Sequence, residues 1–275
     1  MARRLGLAVL LLAGLLCGSP LGAQVATAPA TGVMAGKVDE PADKPAQRLR
    51  NGAVDNGWVG RHNNLVTAAK AGNVDLYFEG DSITDYWKRN FKANYDKHFA
   101  GWKSDDFGIA ADRTEHVLWR ITNGELDVVT PKVIVLLVGT NDLPKDQGGY
   151  APRTVQEDAA GVKAILDVMK QKQPQAKILL LSVFPRQDKI NASNAEYRED
   201  LNPKIKELNA LLARMDDGKQ VKFLDIYDKF LDKNGNLLPG VMQKDNLHPA
   251  EPGYDIWAEA MQPILTEWLG PPAKP

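Results

Sequence analysis

The sequence predicts an α/β protein in which helices cover both faces of a parallel sheet. Three observations carry that expectation. Four short apolar runs have strand length and too little polar alternation for a solvent-facing side: VDLYFE (74–79), KVIVLLV (132–138), KILLLSVF (177–184) and VKFLDI (221–226). Helical patterns lie between and after them. The composition is that of an ordinary globular domain, 275 residues with 44% hydrophobic and 25% charged, and no solenoid or propeller repeat runs through it.

In chain order, the first 23 residues read as a secretory signal. Arg3 and Arg4 supply the charged start, and Leu5 to Leu16 form an apolar stretch short for a membrane span. Small residues then lead to cleavage near Ala23. Cys17, the only cysteine, falls inside this segment. Leu16 is bulkier than the small residue expected before a lipid-bearing cysteine, which favours an ordinary signal position. The mature chain then has no thiol for a disulfide, a nucleophile or a metal. Residues 24–49, rich in Ala, Pro, Thr, Gly and Lys, have the composition of a flexible linker. One domain is expected from residue 50 to residue 275.

Within that domain SDDFGIA (104–110) is a weaker strand candidate. The pattern at 153–173 aligns Val162, Ile165, Leu166 and Met169 on one helical face. At 202–217, Asn202 is expected as N-cap and Pro203 as the first helical residue, with Ile205, Leu208, Leu212 and Met215 as the buried stripe. EPGYDIWAEAMQPILTEWL closes the domain as a helix that Pro263 is expected to kink or split.

Ligands of such a fold gather outside the carboxyl ends of the strands. Here those ends carry unusual residues: Gly80-Asp81-Ser82, then Gly108, then VGTND with Asn141; near the C-terminus comes KDNLHPAEPGY with Asp245 and His248. A serine hydroxyl needs an imidazole base, and the imidazole needs a carboxylate to fix its tautomer. A developing oxyanion needs fixed N–H donors. Asp245 precedes His248 by three residues, so one turn brings its carboxylate to the ring. Ser82 is expected at a helix N-terminus, where free N–H groups favour negative charge.

Those four stretches, GDSIT, FGIAADR, VGTND and DNLHP, resemble in order the conserved blocks of the SGNH (GDSL-type) hydrolase superfamily. RTEHVLWRI and HPAEPGY are similar to its platelet-activating-factor acetylhydrolase-like esterase branch. The resemblance implies a three-layer α/β/α sandwich with a central parallel sheet of about five strands, flavodoxin-like in order. It implies Ser82 as nucleophile, His248 as general base and Asp245 as its orienting acid. It also implies an oxyanion hole from the Ser82 and Gly108 backbone N–H groups and the Asn141 amide. One departure stands out: glycine-richer sequence is expected after Gly108, and here Ala110 and Ala111 precede Asp112.

Other readings fare worse. G-D-S-I-T is not the G-x-S-x-G of an α/β-hydrolase elbow. Four histidines, one of them in a motif, do not furnish a two-metal site, and no phosphate-cradling glycine loop is present. No metal and no cofactor are therefore expected. Abundant carboxylates alone do not make a glycosidase. Taken singly, Ser82, Asn141 and Asp245 suit capping or turn roles. Asp85, Asp112 and Asp142 lie near the site, with helix-start or loop roles expected. His62, His98 and His116 are expected to be structural, at the surface or partly buried. Trp87, Trp119 and Tyr254 are candidates for stacking on a sugar or for core packing.

A net charge of -1 without a basic stripe in the domain argues against nucleic acid. The expectation is thus an exported esterase, periplasmic or secreted, cleaving short-chain, chiefly acetyl, esters on carbohydrate or small-molecule substrates. Stable membrane insertion is not expected once the signal is removed. The competing class is a catalytically silent carbohydrate-binding protein on the same fold.

Overall fold

Two short antiparallel ladders, β1 (Val33–Met34) with β2 (Lys37–Val38) and β3 (Leu49–Arg50) with β4 (Ala53–Val54), precede a five-stranded parallel sheet. The structure is a computed structural model describing residues 33–34, 37–144, 149–187 and 200–273; the expected signal segment lies outside the described residues. The sheet comprises β5 (Leu76–Gly80), β6 (Ser104–Asp106), β7 (Val133–Leu137), β8 (Lys177–Leu181) and β9 (Val221–Leu224). Its spatial order is β6-β5-β7-β8-β9 with every neighbour parallel, which is the flavodoxin-like arrangement.

Strand side chains alternate between faces, and both faces of the central strands β5 and β7 are dry. Tyr77, Ile134, Leu136, Ile178 and Leu180 point into one core, and Leu76, Phe78, Val133, Val135, Leu179 and Leu181 into the other. The first core is closed by α1 (Asn56–Ala71), α4 (Thr114–Thr122), α5 (Val155–Lys172) and α6 (Asn202–Leu212). The second is closed by α2 (Ser82–Asn90), α3 (Lys92–Phe99) and α7 (Glu251–Leu269). It is the more aromatic, with Phe78, Trp87, Tyr95, Phe99, Tyr254 and Trp257 in mutual ring contact.

Several elements differ from the sequence expectation in detail. The weak run becomes a strand only over Ser104–Asp106, because the chain then leaves the sheet toward the site. Residues 182–184 lie beyond β8, where Ser182 Oγ accepts from Ile226 N–H and Val183 pairs with the Asn209 side chain. The α5 pattern holds, opened by Thr154, whose hydroxyl accepts from Glu157 N–H while the Glu157 carboxylate accepts from Thr154 N–H.

Asn202 is not the cap of α6. It is the first helical residue, and its side chain instead pairs with both backbone groups of Arg186. The α6 helix ends at Leu212 and tightens into a 3₁₀ turn over Ala213–Met215. Pro263 neither splits nor ends α7, which runs unbroken through it. Finally, residues 38–48, expected within the flexible linker, lie against the domain. Val38 pairs with Gly149 and Ala151, Ala46 N–H donates to Glu115 O, and the Arg153 guanidinium bonds Glu40 O. These backbone partners anchor a stretch whose composition alone offers little to bury.

Candidate active site

Strand β5 stops at Gly80 for a steric reason. A Cβ there would collide with the Leu137 carbonyl of β7 and with Thr84 Oγ1, so only glycine lets the chain turn this close to its neighbour. Asp81 then caps α2, its carboxylate accepting from Ile83 N–H at 2.9 Å. Ser82 is thereby the first helical residue rather than the cap. Its N–H belongs to the unpaired first turn of α2, at the positive end of the helix dipole.

The partner arrives from the other end of the chain. His248 Nε2 lies 2.8 Å from Ser82 Oγ, and His248 Nδ1 lies 2.7 Å from Asp245 Oδ2. Asp245 serves two purposes with its two oxygens. Oδ1 accepts from the Leu247 and His248 N–H groups, which folds the turn, while Oδ2 orients the ring. Partial burial alone would push the Asp245 carboxyl up. Hydrogen bonds from the His248 ring and those two amides outweigh it and hold the carboxyl below its ordinary range. The turn is fixed from outside as well: Gln243 N–H donates to His248 O, Gln187 N–H to Asn246 O and Ala250 N–H to Val241 O. The Tyr86 ring packs on His248 with centroids 4.7 Å apart.

Gly108 and Asn141 reach the same edge but differ in what they offer. The Gly108 N–H donates to Asp106 Oδ1 at 2.8 Å, so it is consumed within the protein. What fixes glycine at 108 is crowding: a Cβ there would meet Asp85 N and Asp81 O. In this structure the Gly108 N–H is thus turned to Asp106, as the Asn141 amide is turned to Asp112 O. Three residues on, Ala111 is exposed and holds φ +65°, a left-handed conformation natural to glycine and strained for alanine. Buried Asn141 donates from Nδ2 to Asp112 O at 2.9 Å, which pins the end of this loop to the one that follows β7.

Beneath the site lies a residue of the RTEHVLWRI stretch that the sequence analysis gave no role. Arg120, fully buried on α4, donates to Glu79 Oε1 at 2.5 Å, Glu125 Oε2 at 2.6 Å and Asp112 Oδ2 at 2.7 Å. It also donates to the carbonyls of Gly80 and Phe107. One guanidinium thus ties the end of the serine-bearing strand to the loop after β6. Asp112 further accepts from Trp58 Nε1. A second buried cluster joins Arg153 to Glu115 and Asp142, with Asp142 also accepting from the Thr114 N–H and hydroxyl. Asp81 itself is completely buried. Burial, aided by the Asp112 and Asp142 charges, raises its carboxyl to about 7 against the Ile83 hydrogen bond and the Arg186 charge.

The remaining candidates take structural places. Trp87 and Tyr254 are core residues stacked on each other, unavailable to a sugar, and Trp119 packs against Trp58 and His62. Asp112 and Asp142 are ion-paired in the interior, and buried Asp85 meets Arg61 and Arg89. His62 and His116 are fully interior rather than at the surface: His62 bonds Glu125 and Asn123 O, and His116 bonds Arg113 N and Tyr150 Oη. His98 pairs with Asp255 at 2.6 Å. Among the described residues, no group of three His, Cys, Asp or Glu side chains could hold a metal, and no helix is long and apolar enough to cross a membrane.

A parallel α/β/α sheet with serine, imidazole and carboxylate in contact at its C-terminal edge is the frame of an acyl-transferring hydrolase. Residues 78–256 match the sequence model of the GDSL-like Lipase/Acylhydrolase family. The chain belongs to that family and is a carboxylic ester hydrolase. It is 34% identical over 221 residues to the rat (Rattus norvegicus) platelet-activating factor acetylhydrolase IB subunit alpha2, covering 78% of this chain and 86% of the relative. To the rat alpha1 subunit it is 28% identical over 243 residues, covering 86% and 94%. The fold is shared with a GDSL-like lipase from Bacteroides thetaiotaomicron at a TM-score of 0.59 and 22% identity, covering 75% of this chain and 97% of that one.

Proposed function

We propose that this protein is an exported serine esterase, periplasmic or secreted, that removes short acyl groups, chiefly acetyl, from carbohydrate or small-molecule carriers through an acyl-enzyme. The observation that carries the reading is the position of His248, within hydrogen-bond reach of Ser82 on one ring nitrogen and of Asp245 on the other. Ser82 Oγ attacks the ester carbonyl as His248 Nε2 takes its proton. Asp245 holds the tautomer and stabilises the imidazolium. The tetrahedral oxyanion is met by the Ser82 N–H and the Asn141 amide. The imidazolium protonates the leaving alcohol, and water then repeats the sequence on the acyl-serine.

The acetyl preference is supported by the relatives named as acetylhydrolases. Export is supported by the signal-like first 23 residues. The test is a series of p-nitrophenyl acetate, butyrate and octanoate, followed by acetylated glycans. The reading expects kcat/KM to be highest for acetate. Preference for octanoate overturns the short-acyl reading, and absence of turnover by folded protein overturns the catalytic one.

A further inference from the structure

Two arginines far apart in sequence converge on the outer rim of this site. Asp85, one helical turn after Ser82 on α2, is buried, and both of its oxygens are engaged by guanidinium groups. Arg61 Nη2 lies 3.0 Å from Oδ1, and Arg89 Nη2 lies 3.2 Å from Oδ2. The Asp85 carboxylate also accepts from Ala110 N–H at 3.2 Å, so it is committed to the loop that faces the site. Two positive charges share one negative charge, and a single positive charge remains. Both guanidinium-bearing side chains reach solvent, at 40% and 50% relative exposure.

The pair sits where a bound carrier would pass. The Arg89 guanidinium lies over the Tyr86 ring, 4.8 Å from its centroid, and that same ring packs on His248. Tyr86 thus links the imidazole on one side to the cation on the other. Arg89 follows Ser82 by two turns of α2, and its guanidinium reaches back to Asp85, one turn beyond Ser82. With the acyl group held at Ser82, the proposed esterase reading leaves the arginines to the alcohol half of the ester. The chain as a whole has a net charge of -1, so this rim is a local excess and not part of a generally basic surface.

We infer that Arg61 and Arg89 form an anion subsite selecting esters whose carrier alcohol bears a carboxylate or phosphate. The inference rests on the proposed esterase reading and specifies its substrate class. Arginine suits the role because its planar fork pairs bidentately with either anion, and Asp85 and Tyr86 hold the two forks in place. Paired across Asp85, with Arg89 beside the Tyr86 ring, the two cations together meet an anion more strongly than a lone surface cation does.

The test compares acetylated polygalacturonate, acetylated glucose 6-phosphate and acetylated xylo-oligosaccharide as carboxylate, phosphate and neutral carriers. Wild-type kcat/KM is expected to favour the anionic carriers over the neutral one by about tenfold at low salt, shrinking as salt screens the site. In Arg61→Gln/Arg89→Gln the ratio falls toward one through KM. The carboxylate and phosphate arms identify which anion the rim prefers. Because the double variant leaves Asp85 without its partners, a second measurement uses the unaltered protein. Oligogalacturonate should inhibit turnover of p-nitrophenyl acetate more strongly than xylo-oligosaccharide does. Equal kcat/KM for all three carriers, or equal inhibition by the two oligosaccharides, overturns the anion subsite. Absence of p-nitrophenyl acetate turnover by the wild type would instead overturn the esterase reading beneath it.

Discussion

His248 Nε2 lies 2.8 Å from Ser82 Oγ, joining residues 166 positions apart. That contact exists because β5 delivers the serine at a glycine corner, while the turn before α7 delivers the imidazole, already oriented by Asp245. If it is the catalytic contact, Ser82→Ala lowers kcat by about 10⁴-fold or more in a p-nitrophenyl acetate assay, with the fold intact by circular dichroism. Residual activity within tenfold of wild type would be incompatible with a serine nucleophile.

Asn141 is expected to act mainly on the transition state. Asn141→Ala should reduce kcat by about 10²–10³-fold and change KM little. Since Asn141 also pins Asp112 O, a melting measurement belongs beside the kinetics. A large rise in KM with unchanged kcat would place the amide in ground-state binding.

Asp81 gives a pH prediction with a definite sign. Its carboxyl is raised to about 7 by burial, whereas in an unfolded chain it titrates near ~3.9. The folded state therefore favours the protonated form. That contribution is complete below about pH 4 and is lost progressively as pH rises to about 7. Asp81→Asn keeps an oxygen for Ile83 N–H and removes the titration. Between pH 5 and 7 the wild type should lose roughly 2–3 kcal/mol relative to the variant, read from urea unfolding at each pH. Parallel stability curves for the two proteins would show that Asp81 is ionised throughout.

Arg120 meets three buried carboxylates at once. Arg120→Met leaves Glu79, Asp112 and Glu125 buried without their cation and should cost about 3–5 kcal/mol of stability. Chemical denaturation measures it. A cost below about 1 kcal/mol would mean that these carboxyls are already neutral in the folded protein.

Ala111→Gly should stabilise the protein by about 1 kcal/mol, because its φ of +65° strains alanine and not glycine. Thermal melting at fixed pH checks the sign.

The sheet was legible because its central strands are dry on both faces, so Ile134, Leu136, Val133 and Val135 give an uninterrupted apolar run. Three of the four motif blocks were legible because they sit at strand ends, after β5, β6 and β7, and the fourth because Asp245 and His248 share the turn before α7. Helix α1 was not: NGWVGRHNNLVTAAKA carries two glycines and adjacent asparagines, and it buries only Trp58, His62, Leu65 and Ala69. Arg120 escaped notice because its carboxylate partners lie on a strand, a loop and a turn, meeting only after folding. The fate of the Gly108 N–H was equally hidden, since it depends on which way Asp106, two residues earlier, turns its side chain. The pairing of Arg61 with Arg89 likewise needs α1 and α2 to be packed before it exists.

The distribution of the three reacting groups along the polypeptide makes ester turnover a clock for maturation. A chain that has built only its first strands presents a hydroxyl with no proton acceptor, because the turn bearing the imidazole is held by Val241 and Gln243 late in the chain and by Gln187 beyond β8. During refolding from denaturant, recovery of turnover should therefore lag the return of helical ellipticity, marking the moment when the final helix docks.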